Sequence, residues 1–282
     1  MREFPDITLE FGWYIDAAVS WLDTNFEFLF NFVRLVILNF LLNVELFLMW
    51  LPWWVFLLII FLLGLWLRSF LSGLMFIILV FTIGTFGLWE PMMETLAIIL
   101  TSVVISIALG IPIGIFMAYN KMVATIMRPI LDGMQTMPSF VYLIPALILF
   151  GMGKVPAVFA TTIYAIPPVI RLTDLGIRRV SKEMVEAGKS FGASPLQLLS
   201  KVQIPQALPT IMAGSNQTTM MALAMVVIAA MIGAEGLGLE VYIAINRVNI
   251  ARGVEAGISI VFLAIIIDRL TQAVGDRFKY SD

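Results

Sequence analysis

Gly188-Lys189-Ser190 carries the residue types with which a chain grips a nucleotide phosphate. A phosphate-binding loop of that kind needs a further glycine five residues before the second one and a strand leading into it. Position 183 is Glu and no strand pattern precedes it, so this chain is not expected to bind ATP itself. Other site chemistries are narrower still. The 282 residues include no Cys and no His, which removes thiol nucleophiles, disulfide frameworks, haem ligation through His and the common zinc sites. No convergent set of carboxylates stands inside the apolar segments, so neither a metal site nor an enzymatic one is expected. What remains with a distinctive spacing is Glu186, Ala187, Gly188, Gly192 and Pro205, within the polar stretch EAGKSFGASPLQLLSKVQIP at 186–205.

The elements around that stretch are mostly apolar. Sixty-one per cent of the residues are hydrophobic and only 13% charged, about half the charge of a soluble domain. The expectation is an all-α integral membrane protein solvated largely by lipid. A net charge of −2 leaves no broad basic face for nucleic acid. The opening MREFPDITLE lacks a cationic segment followed by an apolar one, so no cleavable leader is expected. About 20 helical residues cross a hydrocarbon core, which gives candidate spans near 51–67, 70–88, 93–118, 130–150, 156–171, 211–233 and 254–272, about seven in all.

Residues 8–48 are apolar but hold Glu10, Asp16, Asp23, Glu27, Arg34 and Glu45, each costing ~2.5–3.5 kcal/mol at mid-bilayer. Aromatic residues (Phe11, Trp13, Tyr14, Trp21, Phe26, Phe28) interleave with them. This is the pattern of an amphipathic element lying in the interface; an extra span near 28–48 is the competing reading. Alternating the seven spans puts Arg68, Lys121, Arg128, Arg171, Arg178, Arg179, Lys182, Lys189, Lys201, Arg269, Arg277 and Lys279 on one side, leaving Arg2, Arg34, Lys154, Arg247 and Arg252 on the other. The richer side is expected to be cytoplasmic. The C-terminus and the 186–205 stretch then lie inside, and the N-terminus outside if residues 8–48 do not cross.

Several spans carry helix breakers: Gly110 and Pro112, then Pro138 and Pro145, then Pro167 and Pro168. They fit a packed bundle enclosing a pathway, or plain kinks. Gly110-Ile-Pro-Ile-Gly114 has the small-residue spacing of a close helix contact. Within the polar loop, Ser181 can cap a first helix with Glu183 in its first turn, and Lys182 and Glu186 share a face. Gly192 can adopt a positive φ and break that helix. Ser194, Pro195 and Gln197 then form a capping box with a proline start. Ile204-Pro205 is expected to end the second helix. The loop reads as a bent helix–turn–helix, either docking another protein or packing on its own bundle.

At Glu186-Ala187-Gly188, Gly192 and Val202-Gln203-Ile204-Pro205 the chain resembles the Glu-Ala-Ala loop of permease subunits in ABC importers. The family pattern is Glu-Ala-Ala, three residues, Gly, nine residues, then Ile-x-Leu-Pro. The spacing matches throughout, with Gly188 for the second Ala, a change that can loosen the first helix. MQTMPSFVYLIPA at 134–146, AIPPVIRLTDLGI at 165–177 and MVVIAAMIGAEGLGLEVY at 225–242 resemble the glycine betaine/proline betaine, or quaternary amine, branch. The resemblance implies a five-helix type I importer core at 90–275 containing a coupling loop at 172–209. An amphipathic segment at 1–48, two additional helices at 49–89 and a tail at 276–282 flank that core. It also implies a multi-pass protein of the bacterial cytoplasmic membrane, a second permease copy, and two cytoplasmic ATPase subunits that carry the ATP and Mg. An extracellular or periplasmic substrate-binding protein is expected to deliver the solute. Glu186, Ala187, Gly188, Gly192 and Pro205 become the ATPase-coupling element, with Glu186 pairing with a basic group of the ATPase.

All seven Trp lie at or before position 89. Quaternary ammonium groups are held by aromatic cages, so tight binding is expected in the binding protein and only weak binding in the pathway. Candidate pathway residues are Gln135, Thr136, Ser139 and Tyr142, with Asn216, Gln217, Thr218 and Thr219; each can equally bond a neighbouring helix. Glu235, Glu240, Arg247 and Arg252 can meet the binding protein or form a solvated loop face. The same machine carrying choline, carnitine or an amino acid is the nearest alternative. An ATP-independent channel or carrier is disfavoured, because the middles of the core spans are nearly free of charge.

Overall fold

The computed structural model describes residues 11–67 and 69–277, without the side chains of Phe11 and Asp23. Arg2, Arg68, Lys279 and most of the 276–282 tail lie outside the described residues, as does the start of the N-terminal segment. Among the described residues all regular structure is helical. The order is α1 (Phe11–Asn25), α2 (Glu27–Trp50), α3 (Trp53–Leu67), α4 (Phe70–Thr85), α5 (Trp89–Tyr119), α6 (Lys121–Thr136), a 3-10 turn (Ser139–Tyr142) and α7 (Leu143–Phe150). Then follow α8 (Lys154–Ala165), α9 (Pro167–Arg179), α10 (Lys182–Ser190), α11 (Pro195–Leu198), α12 (Ile204–Ala224), α13 (Val226–Ala229), α14 (Leu237–Asn246) and α15 (Ile250–Asp276).

Among the described residues, four stretches are long and apolar enough to cross a membrane: Glu27–Trp50, Trp89–Tyr119, Lys154–Arg179 and Ile250–Asp276. The number rises to six if each of two bent pairs counts as one span. The expected continuous span at 130–150 is replaced by α6 and the Ser139–Phe150 segment, which meet at 110°. Pro138 sits in the corner, where it cannot donate to the helix and holds the preceding residue extended, with Met137 at φ −68°, ψ 136°. The span expected at 211–233 is α12 followed by a 42° bend. α3 and α4, at 15 and 16 residues, form a hairpin of two helices shorter than a full crossing.

Residues 8–48 divide. α1 leaves Trp13, Tyr14 and Trp21 all exposed. α2 has the length of a crossing, 24 residues or about 36 Å. Its charges, Glu27, Arg34 and Glu45, leave the uncharged run 35–44 between them, so the cost that argued against a span falls away from its middle.

The centre of the bundle is α9, gripped on two sides by glycines. On α5, a β-carbon at Gly110 would lie 2.4 Å from Val169, and one at Gly114 would lie 2.6 Å from Thr173. On the other side Gly176 of α9 faces Ala207 and Thr210, and Gly214 of α12 faces Leu172 and Val169, at 3.0–3.2 Å. The expected close contact at Gly110 and Gly114 is therefore present. It lets three backbones approach one another without side chains between them.

Candidate functional site

The polar loop folds as a bent pair of helices at one end of the bundle. The Ser181 hydroxyl accepts from the Met184 N–H at 3.3 Å and caps α10. α10 ends at Ser190, and Gly192 takes φ +76°, a region open to glycine and strained for other residues. The Ser194 hydroxyl accepts from Gln197 N at 3.3 Å while Gln197 Oε1 accepts from Ser194 N at 2.9 Å, completing the capping box. Both caps and the bend stand where the sequence placed them.

Pro205 does not end the second helix. Leu199–Gln203 widens into a π-helical turn, and the chain runs on through it into α12. The wider turn takes up the hydrogen-bond mismatch that a proline without an N–H brings to a helix. The hairpin is thus continuous with a bundle helix. A β-carbon at Gly188 would meet Leu198 Cδ1 at 2.8 Å, so α10 packs there against the second helix.

The tip is unfinished. Phe191 is 92% and Leu196 74% exposed. Glu186 is exposed and, among the described residues, forms no ion pair or hydrogen bond; Lys182, one turn earlier on its face, does not pair with it. Ala187 is also exposed. The base, by contrast, is tied down. Buried Asp174 accepts from Arg178 Nε at 2.5 Å and from Arg128 Nη2 at 3.4 Å. Arg178 also donates to the Met117 carbonyl at the end of α5. The Tyr119 hydroxyl donates to Gln203 Oε1 in the π turn. A cleft of about 290 Å³ lies beside this network, lined by Tyr119, Arg178, Glu186, Lys189 and Gln203. The i,i+4 spacing of Asp174 and Arg178 was visible in the sequence; Tyr119 and Arg128 were not, since they come from other helices.

The candidate pathway residues do not gather around one cavity within this chain. Gln135 and Thr136 stand exposed near the end of α6, Ser139 is half-buried beyond the corner, and the Thr136 hydroxyl returns to its own helix at Asp132 O. Buried Tyr142 braces the corner by donating to Met134 O at 2.5 Å and stacking edge-on with Tyr164 at 6.0 Å. Asn216 donates to Asp268 at 3.0 Å and accepts from Thr271, joining α12 to α15. Gln217 is exposed, Thr219 is buried and bonded to Ser215 O at 2.9 Å, and the buried Thr218 hydroxyl has no partner among the described residues.

At the opposite end, Lys154 gathers three carboxylates: Glu45 at 2.8 and 2.9 Å, Glu94 at 3.6 Å and Glu235 at 2.5 Å. Its hydrogen bond holds the Glu235 carboxyl below its ordinary value, despite some burial. Arg252 pairs with Glu240 at 2.8 Å and donates to Phe86 O at 2.8 Å. At the hairpin end of the same helix Arg277 donates to Trp66 O and lies 4.0 Å over the Trp66 ring. Two arginines of α15 therefore fasten both ends of the α3–α4 hairpin. Of the four charges expected to face a partner or water, Glu235, Glu240 and Arg252 are engaged internally, and Arg247 remains exposed.

Residues 110–280 match a family described as the binding-protein-dependent transport system inner membrane component. The chain is 45% identical over 262 residues to the glycine betaine/proline betaine transport system permease protein ProW of Escherichia coli, covering 93% of this chain and 74% of that protein. It is 56% identical to the glycine betaine/carnitine transport permease protein GbuB of Listeria monocytogenes, over 68% of each chain. It is 54% identical to the glycine betaine transport system permease protein OpuAB of Bacillus subtilis, again over 68% of each. Its fold is similar to that of an inward-facing MetNI methionine ABC transporter chain, with a TM-score of 0.61 at 22% identity, over 66% of this chain and 94% of that one.

Proposed function

Because this chain belongs to the family of binding-protein-dependent transport system inner membrane components, we propose that it is the permease subunit of an ATP-driven importer of glycine betaine or a related quaternary amine. The observation that carries the reading is the hairpin: capped, bent at Gly192, fastened at its base, and left with an unpaired Glu186 and an exposed Phe191 at its tip. A half-apolar projection with one free charge is built to enter a groove on another protein. In this reading the groove belongs to a cytoplasmic ATPase subunit, one for each of two permease copies. ATP and Mg stay on those subunits, and this chain catalyses nothing itself.

Glu186, Ala187, Gly188, Gly192 and Pro205 form the coupling element, and Glu186 meets a basic group of the ATPase. The excess of Lys and Arg toward the hairpin end favours a cytoplasmic hairpin and C-terminus. With α2 crossing as well, the start of α2 lies on that same side. Exposed Gln135 and Thr136 and half-buried Ser139 line a pathway shared between two copies in this reading, whereas Tyr142, Asn216 and Thr219 support the helices that flank it. Glycine betaine is the cargo common to the names of the three relatives. An external binding protein supplies the affinity, in keeping with a five-helix core that contains no Trp.

Purifying the intact complex, identifying its other subunits and screening quaternary amines for stimulated ATP hydrolysis tests this. Co-purification of an ATPase and stimulation by glycine betaine in the presence of a binding protein is the expected result. A complex without an ATPase, or one indifferent to every amine, contradicts it.

A further inference from the structure

α6 and α9 run antiparallel and are joined by two crossed ion pairs. Arg128 and Asp132, one turn apart on α6, meet Asp174 and Arg171, about one turn apart on α9, at 3.4 and 2.6 Å. Between the pairs the helices share an apolar seam that includes Leu131, Ile170 and Met127. Each helix thus offers one cation and one anion, which fixes both the direction and the register of the contact. Beyond the pairs, α9 leads through Arg178 to the hairpin at Lys182. α6 leads the other way, to Gln135, Thr136 and the Pro138 corner that Tyr142 braces. These side chains are thus the ion pairs between the helix that leads to the hairpin and the helix that leads to the corner.

We propose that Asp132 and Arg171 are positioning residues that make the α6 corner follow the hairpin, so that ATPase motion moves the candidate pathway residues. The proposal rests on the permease reading above. Neither residue touches solute or nucleotide in it. Their contribution is to transmission, and coupling networks of this kind change the response rather than the end states.

The test uses the complete complex, with its ATPase and binding protein, reconstituted in vesicles, and reads glycine betaine moved per ATP hydrolysed. Asp132→Arg and Arg171→Asp, made singly, are expected to lower that ratio roughly tenfold, while ATPase co-purification and basal hydrolysis hold. The double exchange restores opposite charges across the gap and should bring the ratio back to within about twofold of the unmutated complex. Asp132→Asn serves where a reversal prevents insertion, because the Asp132 side chain is 65% exposed and the change is isosteric. A fall of roughly threefold in the ratio then supports the relay. Unchanged ratios in the single variants, or a double exchange no better than either single, would overturn it. If the unmutated complex shows no ATP-driven uptake, the permease reading itself fails and the relay with it.

Discussion

The two ends of this bundle use similar residues to opposite effect. At the Lys154 end one ammonium satisfies carboxylates from α2, α5 and the loop before α14, and Arg252 binds both Glu240 and a main-chain carbonyl. At the hairpin end, Arg178 and Asp174 are just as fully engaged, yet further out along the chain Lys182, Glu186 and Lys189 have no ion-pair partner among the described residues, beside an exposed Phe191. The ion pairs of the first end run between helices and fasten α2, α5, α8, α14 and α15 to one another. A tip whose apolar and charged groups remain open gains from being covered. In the proposed reading the first end holds the helices together and the second receives force from an ATPase.

The largest effect should come from the open tip. Gly192→Val forces a β-branched residue to φ +76°, a strain of about 1–2 kcal/mol, and Glu186→Lys reverses the free charge. Each is expected to reduce solute-stimulated ATP hydrolysis to background without preventing membrane insertion, measured in the reconstituted complex. Unchanged turnover would erase the distinction between the ends. Lys154→Met attacks the closed end. It leaves Glu45 and Glu94 largely buried without their cation and should cost about 3 kcal/mol, seen as a lower unfolding temperature with ATPase capture intact. A loss of ATPase capture instead would mean that the two ends are not separable.

Gly110→Val tests the grip on α9. Its β-carbon would collide with Val169, and about 1–3 kcal/mol of stability should be lost in the same assay. The smallest effect is expected from acid. Lys154 lowers the Glu235 carboxyl, so the stabilisation is present above the ordinary carboxylate range and is lost as pH falls through the lowered value. Glu235 is 53% exposed, so solvent screening keeps the change slight. Glu235→Gln should flatten that acid limb of the melting curve and leave the rest of it unaltered.

Local chemistry made the hairpin legible. Ser181, Gly192, Ser194, Pro195 and Gln197 act within a few residues of themselves, and a cap or a positive φ is written in the residue that makes it. What escaped depends on distance along the chain. Glu45 and Lys154 are 109 positions apart, and nothing in either neighbourhood announces the other. Pro205 misled because a proline ordinarily stops a helix, whereas here a π turn accommodates it. The 130–150 stretch misled through composition. Hydropathy counts apolar residues and does not register that Pro138 turns their direction by 110°. For α2 a tally of charges does not decide between an interfacial helix and a span, because it is blind to where along the helix they fall.

The central claim, that the hairpin is gripped by a cytoplasmic ATPase, is most directly tested with a single thiol. The chain has no Cys, so Ser190→Cys gives one reactive site beside Phe191 in the assembled complex. A membrane-impermeant thiol reagent added outside intact cells should leave it unmodified, and a short bifunctional linker should join it to the ATPase subunit. Modification from outside, or a cross-link to no ATPase, would contradict it.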